Sequence, residues 1–421
     1  MDVSTSFKRE SYLCAEPPHK VNAFQNRCDV LSKQCAVLLG FFVPISTFAT
    51  HVVLFLLVAS WFLAGGLKEK AQIIVSHPVA RIAFLLFGAF VIGALYSEAP
   101  WADRLWMLEK VGKLLYIPFL LPIIQEKKWR YAALFAFLSA MLLTVSTGFL
   151  KTYAGVSIFT HTRIGPSGIF KDHIFTNLMM AFASFMVAHF LLNQTNFFKR
   201  VGLSVLLISL IFYILFMSEG RSGYVVFSVL WLLWALQRSS LKGLGVGLVA
   251  LTLLLSFAYF NSRVFHARCL SVLANFDQYV SGNSHNSIGE RLEFLNHTWQ
   301  LSKERFWFGH GTGSFKEIYK NHSAINHLTR TQNPHNEYIN TLFQLGFFGI
   351  TAFVGFFVYL FKWSFKLPRS EKWFAQGITL AIAIGCLANS WLMDFTSGYF
   401  FVMIIAFCFG ALNLKKDFQC E

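Results

Sequence analysis

Charged residues are scarce in this chain of 421 residues: they make up 14% of it, and acidic residues number only 21. A soluble globular domain carries about 25% charged residues, so a large soluble domain is excluded. Hydrophobic residues make up 55% of the sequence and occur in continuous runs, which favour membrane-spanning helices over the alternating strands of a membrane barrel. The composition therefore predicts an all-α integral membrane protein.

Cysteine is present but forms no pattern. The seven cysteines are scattered without a CxxC pair, and only Cys269 falls in a loop predicted to lie outside the cytoplasm. A disulfide framework and a cysteine-based zinc site are therefore not expected. His310, His322 and His327 lack metal-ligand spacing with nearby carboxylates, so the sequence predicts no metal and no cofactor.

The apolar runs predict about twelve transmembrane helices, because each crossing needs roughly 20 mostly apolar residues. Pro44 divides the first long run, since a proline cannot continue the helical hydrogen-bond ladder. The predicted helices are 31–47, 50–67, 79–97, 106–124, 131–150, 174–192, 201–218, 222–237, 243–260, 338–361, 373–392 and 395–413. The predicted segments are thus a cytoplasmic tail (1–30), helices 1–9 (31–260), a periplasmic loop (261–337), helices 10–12 (338–413) and a second cytoplasmic tail (414–421).

Basic residues outnumber acidic ones, 36 against 21, which gives a formal net charge of +15. If the N-terminus is cytoplasmic, every short inner loop is basic, as the positive-inside rule requires. The other basic residues gather on the outer side, at 104–113, 151–171, Arg221 and 261–337. Since orientation does not require positive charge there, we expect these residues to bind an anion at the membrane surface, with no role in nucleic-acid binding.

The 261–337 loop is the one long extramembrane segment. Ser287-Ile288-Gly289-Glu290 and Ser314-Phe315-Lys316-Glu317 fit the capping box S-x-x-E, which predicts helix starts at both points. A segment of this length makes a poor independent core. We therefore expect a helical loop that lies on the membrane helices and covers a cavity in which the active site lies.

Three short segments carry a family resemblance. They are Glu219-Gly220-Arg221-Ser222-Gly223; Gly289-Glu290-Arg291 with Gly309-His310-Gly311-Thr312-Gly313-Ser314; and Asn333-Pro334-His335-Asn336-Glu337-Tyr338. In this order, on a scaffold of about twelve helices with a large outer loop before the tenth, they resemble the O-antigen ligase and polymerase superfamily of bacterial envelope glycosyltransferases. The motifs cover about residues 160–350.

The resemblance implies a chemistry, a location and partners. Such enzymes transfer a glycan from an undecaprenyl-diphosphate carrier to an acceptor hydroxyl, on the periplasmic side of the Gram-negative inner membrane. For a ligase the acceptor is the lipid A-core of lipopolysaccharide, and membrane lipids surround the protein. This reaction requires a base for the acceptor hydroxyl and cations for the departing diphosphate, so we expect an inverting, metal-independent transferase.

His335 is the candidate base. A histidine titrates near neutral pH, and the start of the following helix favours its neutral form. Asn336 and Glu337 would support it at a sharply turned helix start, as Pro334 before it also suggests. The alternative is that His335 only caps the helix at the membrane interface.

Arginines are the candidate ligands of the diphosphate, because the guanidinium fork matches phosphate oxygens. Arg221 is the first candidate; the alternative is an ion pair with Glu219. Arg291 is the second, the alternative being an exposed helix face. The resemblance also points to Arg163 and Lys171, which flank a turn-rich stretch.

The remaining candidates are supporting residues. His173 follows Lys171 closely, and Gly311 and Gly313 belong to the glycine turn of the second motif. This turn lacks the G-K-[ST] ending and the preceding strand of a phosphate-binding loop. It is expected to let the chain turn tightly beneath His335.

The predicted function is that of a ligase that joins O-antigen to the lipid A-core, and two other functions stay open. An O-antigen polymerase of the same superfamily uses the same donor, and the sequence does not separate it from a ligase. A flippase or transporter of polyisoprenoid lipids belongs to a different class. That class requires charged residues in mid-helix near the bilayer centre, whereas the charges here cluster at the outer interface.

Overall fold

A computed structural model describes residues 22–156, 168–281, 286–326 and 328–412. All regular structure in these ranges is helical. The α-helices are α1 (Ala23–Ile45), α2 (Thr47–Leu63), α3 (Leu67–Ser76), α4 (Pro78–Tyr96), α5 (Trp101–Gly112), α6 (Tyr116–Leu120), α7 (Lys127–Tyr153), α8 (His173–Leu192), α9 (Phe197–Phe212), α10 (Arg221–Asn261), α11 (Arg263–Val280), α12 (Gly289–Ser302), α13 (Phe315–Ile325), α14 (Glu337–Ser364), α15 (Arg369–Gly385) and α16 (Phe395–Phe409). A 3₁₀ turn (Lys113–Leu115) precedes α6, and a π turn (Tyr213–Met217) follows α9.

Seven helices in the described ranges are long and apolar enough to cross a membrane: α1, α4, α7, α8, α9 with its π turn, α10 and α14. The pair α2 and α3, bent by 114°, would be an eighth. The all-helical membrane fold predicted from the sequence is therefore confirmed. The count of twelve stays a prediction: α16 is a shorter apolar helix, and α10 joins the two predicted helices 222–237 and 243–260 across a kink at Ser239 and Ser240.

Two predicted helices are shaped by proline. The first long run divides after Ile45, the residue that follows Pro44. The hydroxyl of Ser46 accepts the Ala49 N–H (3.2 Å) and caps the start of α2. The predicted helix 106–124 is broken into α5, the 3₁₀ turn and α6. Pro118 has no N–H to offer the carbonyl one turn earlier, which weakens the helical ladder at this break.

The centre of the molecule is occupied by α8, in which every residue from Thr176 to His189 is buried. A helix that is buried all round lies in the core of its bundle. By contrast, α9 buries only Leu210 among its helical residues. The N-terminal end of α8 therefore has a fixed position, and the start of α10 packs against it.

The 261–337 loop contributes α11, α12 and α13. Phe294, Leu301, Phe315 and Tyr319 form a small core with Phe343 of α14, so α12 and α13 pack on a membrane helix as expected. Whether the loop also covers a cavity stays a prediction.

Both predicted helix starts in the loop are correct within two residues, but the capping boxes are wrong. The Asn286 side chain, not Ser287, accepts the N–H groups of Ile288 (3.1 Å) and Gly289 (2.9 Å). Ser314 is at the N-cap of α13, yet its hydroxyl donates to the Gly311 carbonyl (2.6 Å). The Ser287 hydroxyl instead accepts from Arg221, 66 positions away, whereas the contact of the Ser314 hydroxyl with Gly311 is local.

We expect a cysteine placed at Ser281 to react with a membrane-impermeant thiol reagent added outside the inner membrane, and one placed at Lys366 to react only after the membrane is opened. The reason is that all short inner loops are basic. The measurement is labelling of single-cysteine variants in a background that lacks the native cysteines. Labelling of Lys366→Cys from outside would contradict the predicted orientation.

Candidate active site

His335 lies in a strained turn directly before α14. Its φ of 53° is in the left-handed region, which is uncommon for a residue with a side chain and typical of functional sites. The turn is held because the His335 N–H donates to Asn333 Oδ1 (2.9 Å). Asn336 caps α14 by accepting the Ile339 N–H (3.1 Å) and donates to the Leu387 carbonyl (2.9 Å). The imidazole is therefore fixed at the helix start by its backbone.

The hydrogen bonds of Asn389 define the tautomer of His335. Asn389 Oδ1 accepts the backbone N–H of Ser390 (3.0 Å), so the atom in this position is an oxygen and not the amide nitrogen. The same oxygen lies 3.2 Å from His335 Nδ1, which has to donate to it. In the neutral ring Nδ1 then carries the proton, and Nε2 has the free lone pair.

The surroundings of His335 favour its neutral form. Its ring lies over Phe294, with 6.1 Å between centroids. Burial is the main cause that lowers the pKa of His335, and the positive charge of Arg291 lowers it further. The hydrogen bond to Asn389 and the negative charge of Glu290 act in the opposite direction. An imidazole with a pKa below 6.5 is a neutral base at neutral pH.

Arg221 and Arg291 are not neutralised by carboxylates of the described residues. Arg221 is the first residue of α10; its Nη2 donates to Ser287 Oγ, while Nη1 is buried without a hydrogen-bond partner in the described part of the chain. Arg291 forms no hydrogen bond or ion pair there. Its charge acts on both Arg221 and His335, so these three residues lie near one another.

Glu219 contacts a different arginine from the one considered in the sequence. It forms an ion pair with Arg268 of α11, so the alternative of a Glu219–Arg221 pair is wrong. Without that pair, Arg221 keeps its positive charge available at the site.

The glycines beside Arg221 serve packing, not an opening for a ligand. A Cβ at Gly223 would lie 2.3 Å from Asn177 Cβ on α8, and one at Gly220 would lie 2.8 Å from Asn177 Nδ2. Asn177 Nδ2 also donates to the Gly220 carbonyl (3.2 Å). These contacts bring α10 against α8 and place Arg221 beside the N-terminal end of α8.

The other predicted ligands have different surroundings. Lys171 is 7% exposed, and its Nζ donates to Thr47 Oγ1 (2.5 Å). Burial lowers the pKa of Lys171 to about 8, and the charge of Asp394 opposes this. Its contacts among the described residues are with the starts of α2 and α16, not with Arg221 or Arg291. Arg163 lies outside the described residues.

His173 lies closer to the site. It is the first residue of α8, and its Nδ1 is 3.5 Å from Asp172 Oδ2. A Cβ at Gly220 would lie 3.2 Å from the His173 carbonyl. The structure therefore brings His173 next to the segment that carries Arg221.

Glu337 anchors the turn that carries Asn389. Its side chain is fully buried, and Oε2 accepts the Leu392 N–H (2.9 Å) and the Cys386 thiol (3.1 Å). The Glu337 N–H also donates to the Cys386 carbonyl (2.8 Å). Residues 386–394, between α15 and α16, are thus held against the start of α14. Sequence reasoning missed Asn389 because it placed this residue within the predicted helix 373–392, whereas α15 ends at Gly385. The available signal was a pair of adjacent polar residues, Asn389 and Ser390, in an otherwise apolar run.

The glycine turn shapes the interior beneath the site. Gly311 and Gly313 have φ of 91° and 82°, and a Cβ at Gly311 would lie 2.4 Å from Ser97 Cα. Each N–H from Gly309 to Ser314 donates to a protein acceptor, so none remains for a phosphate. The acceptors include the carbonyls of Phe343 and Gln344, which lie beside the kink of α14 at Gly346. These two carbonyls are about two helical turns from the start of α14.

Within the described residues no three His, Cys, Asp or Glu side chains are grouped so that they could hold a metal ion.

Comparison with known proteins gives a family match for the middle of the chain. A model of the family described as O-antigen ligase matches residues 203–354, which include Arg221, Arg291 and His335. A search of curated proteins gives no match. The match confirms the resemblance inferred from the motifs: over these residues the chain is similar to the O-antigen ligase family.

Proposed function

We propose that the protein is an inverting, metal-independent glycosyltransferase that joins O-antigen to lipid A-core. The family implies a glycosyltransferase activity of the ligase or polymerase type. In this proposal the donor is a glycan linked to undecaprenyl diphosphate, and the protein acts on the periplasmic side of the Gram-negative inner membrane. One observation carries it: a neutral His335 with a defined free nitrogen lies within electrostatic range of an unpaired arginine.

The reaction proceeds in one displacement. His335 Nε2 takes the proton of the acceptor hydroxyl as its oxygen forms a bond to the anomeric carbon of the donor sugar. The bond between that carbon and the diphosphate oxygen breaks, and the electron pair leaves with the diphosphate. Attack on the face opposite to the leaving group inverts the anomeric centre.

Arg221 and Arg291 stabilise the diphosphate as it departs. Charge-assisted hydrogen bonds from guanidinium groups are stronger than neutral ones, and their planar fork fits two phosphate oxygens. The free Nη1 of Arg221 is a donor for this purpose. Lys171 and Arg163 are secondary candidates for the same anion, and His173 supports Arg221 at the start of α8.

Asn389 positions the base in this mechanism. It holds Nδ1 as the donor and leaves Nε2 for the acceptor hydroxyl. It also stabilises the imidazolium that forms after proton transfer, because its oxygen faces the ring proton.

Loss of the gene is expected to leave lipid-linked polymer accumulating and the lipid A-core bare. A polymerase loss would instead leave core that carries a single repeat unit, because ligation would continue. The measurement is gel and mass analysis of lipopolysaccharide from the deletion strain, complemented with wild type or with His335→Ala as the inactive control. Unchanged glycan on the core would contradict both transferase activities. A bare core without accumulated lipid-linked polymer would instead favour a flippase or transporter of polyisoprenoid lipids, because the donor would then not reach the outer side.

A further inference from the structure

One face of α11 is both apolar and exposed. Leu273, Phe276 and Val280 recur at helical spacing and are 65%, 53% and 70% exposed. The other exposed side of the helix carries small and polar residues, namely Arg263, Ala267, Ala274 and Gln278. The helix is therefore amphipathic, and no part of the described chain covers its apolar face, which is formed by Leu273, Phe276 and Val280.

The start of α11 lies at one end of the helical bundle. Ser262, which separates α11 from α10, donates its hydroxyl to the Leu215 carbonyl (2.8 Å) in the π turn after α9. Phe265 packs edge-on against Tyr224 in the first turn of α10, with 4.8 Å between the ring centroids. The first residues of α11 are thus level with the end of α9 and the start of α10, the segment that carries Arg221.

The chain turns sharply between α10 and α11. His266 Nδ1 lies 3.2 Å from the Tyr259 carbonyl oxygen, and the two rings are 4.5 Å apart. In a continuous helix, seven positions correspond to about 10.5 Å along the axis. Since His266 folds back onto the last turns of α10, α11 leaves the axis of α10 at the end of the bundle and does not extend that helix into water.

The exposed apolar surface of α10 reaches this turn. Val249, Leu253, Phe257 and Phe260 are all more than half exposed and follow one another at helical spacing. Because α10 is long and apolar enough to cross a membrane, such a stripe faces lipid. Phe260 is two residues before Ser262, so the lipid-facing surface ends where α11 begins.

Positive charge lies at the same level. Arg263 is exposed and forms no hydrogen bond or ion pair within the described residues. A cation close to the membrane surface is stabilised by anionic lipid headgroups. An amphipathic helix of low overall hydrophobicity with cationic residues on its polar side is typical of segments that lie in the membrane interface.

We propose that α11 lies in the plane of the membrane, with its apolar face inserted among the lipids at the Arg221 end of the bundle. In the predicted orientation these are lipids of the outer leaflet. Lipid is chosen over a second copy of the chain because the apolar face of α11 continues the lipid-facing stripe of α10.

This position links the membrane surface to the candidate active site. Arg268 of α11 forms an ion pair with Glu219, two residues before Arg221. The in-plane helix therefore holds the segment that carries Arg221 at the level of the lipid headgroups. The inference does not depend on the proposed function, since it rests on exposure, chain direction and charge.

The test is the collision accessibility of nitroxide labels on cysteine-free protein, reconstituted in vesicles of phosphatidylethanolamine and phosphatidylglycerol. Leu273→Cys and Phe276→Cys place the label on the apolar face, and Ala267→Cys and Ala274→Cys are the matched controls on the other side. Oxygen concentrates in the bilayer and a nickel chelate stays in water, so the ratio of their effects reports depth. We expect the first two labels to lie about 5–10 Å inside the headgroup boundary and the two controls to lie in water.

Two results would overturn the inference. If the nickel chelate reaches all four labels equally, α11 lies in water. If neither reagent reaches the labels at Leu273 and Phe276, protein covers the apolar face, either a second copy or a segment of this chain outside the described residues.

A second measurement decides if the cysteine-free protein does not fold. The photoreactive residue p-benzoylphenylalanine is placed at Phe276, or at Ala274 as the control, in the otherwise unchanged chain. On irradiation in the same vesicles, the protein labelled at Phe276 is expected to gain the mass of a phospholipid, and the control is not. Cross-linking of the Phe276 position to protein alone would contradict the membrane contact.

Discussion

His335→Ala is expected to lower the rate of glycan transfer by about 10²–10⁴-fold while the protein still folds and inserts. The side chain contacts Phe294 and Asn389 at the surface of the helical bundle and is only partly buried, so its loss removes chemistry and little packing. The measurement is kcat of purified variant and wild type, with detergent-solution size exclusion as the check on folding. Near-normal transfer by the variant would remove His335 from the mechanism.

The pH profile adds a second readout of the same group. A base acts in its deprotonated form, so activity is present above the pKa of His335 and is lost as the pH falls through it. Since burial lowers that pKa, the acid limb of kcat is expected below pH 6.5. An acid limb well above pH 6.5 would contradict the assignment of His335 as the base.

Variants of Asn389 distinguish a role in positioning His335 from a role in folding. Asn389→Leu removes the bond that favours the imidazolium, so the acid limb moves to lower pH and kcat falls. Asn389→Asp adds a negative charge beside the ring, so the limb moves to higher pH. If Asn389 had only a structural role, the two variants would change the protein yield but would not move the acid limb of kcat in opposite directions.

Arg221→Lys is expected to be nearly as damaging as Arg221→Ala, with transfer reduced about 10–100-fold, because a lysine keeps the charge but loses the planar fork. Both variants are expected to weaken donor binding more than acceptor binding. The measurement is the transfer rate against the concentration of lipid-linked donor, and of acceptor in a separate series.

Arg268→Lys is the matched control for Arg221. Arg268 lies on the neighbouring helix and is paired with Glu219, so a lysine can replace it with little effect. If Arg221→Lys were as active as wild type, a point charge would suffice and the proposed two-oxygen contact would be wrong. If Glu219→Gln restored an Arg221→Gln protein, the two residues would be coupled in a way that this structure excludes.

The sequence by itself determined the class of the protein and the segments of its site. The chain has few charges and long apolar runs, and each run must be buried in lipid or in protein. These features predict membrane-spanning helices. The three motifs could also be identified in the sequence, because Arg221, Arg291 and His335 each lie within or beside a short local pattern of glycine, proline and polar residues.

The tertiary structure decided which side chains meet, because those contacts join residues far apart in the chain. His335 and Asn389 are separated by 54 positions, and nothing local to either predicts their hydrogen bond. In the same way Glu219 pairs with Arg268, 49 positions away, instead of with its neighbour Arg221. The partner of a hydrogen-bonding group depends on which groups the packed helices bring together. The local sequence therefore located the candidate site, whereas the contacts of His335 and of the arginines depend on helix packing.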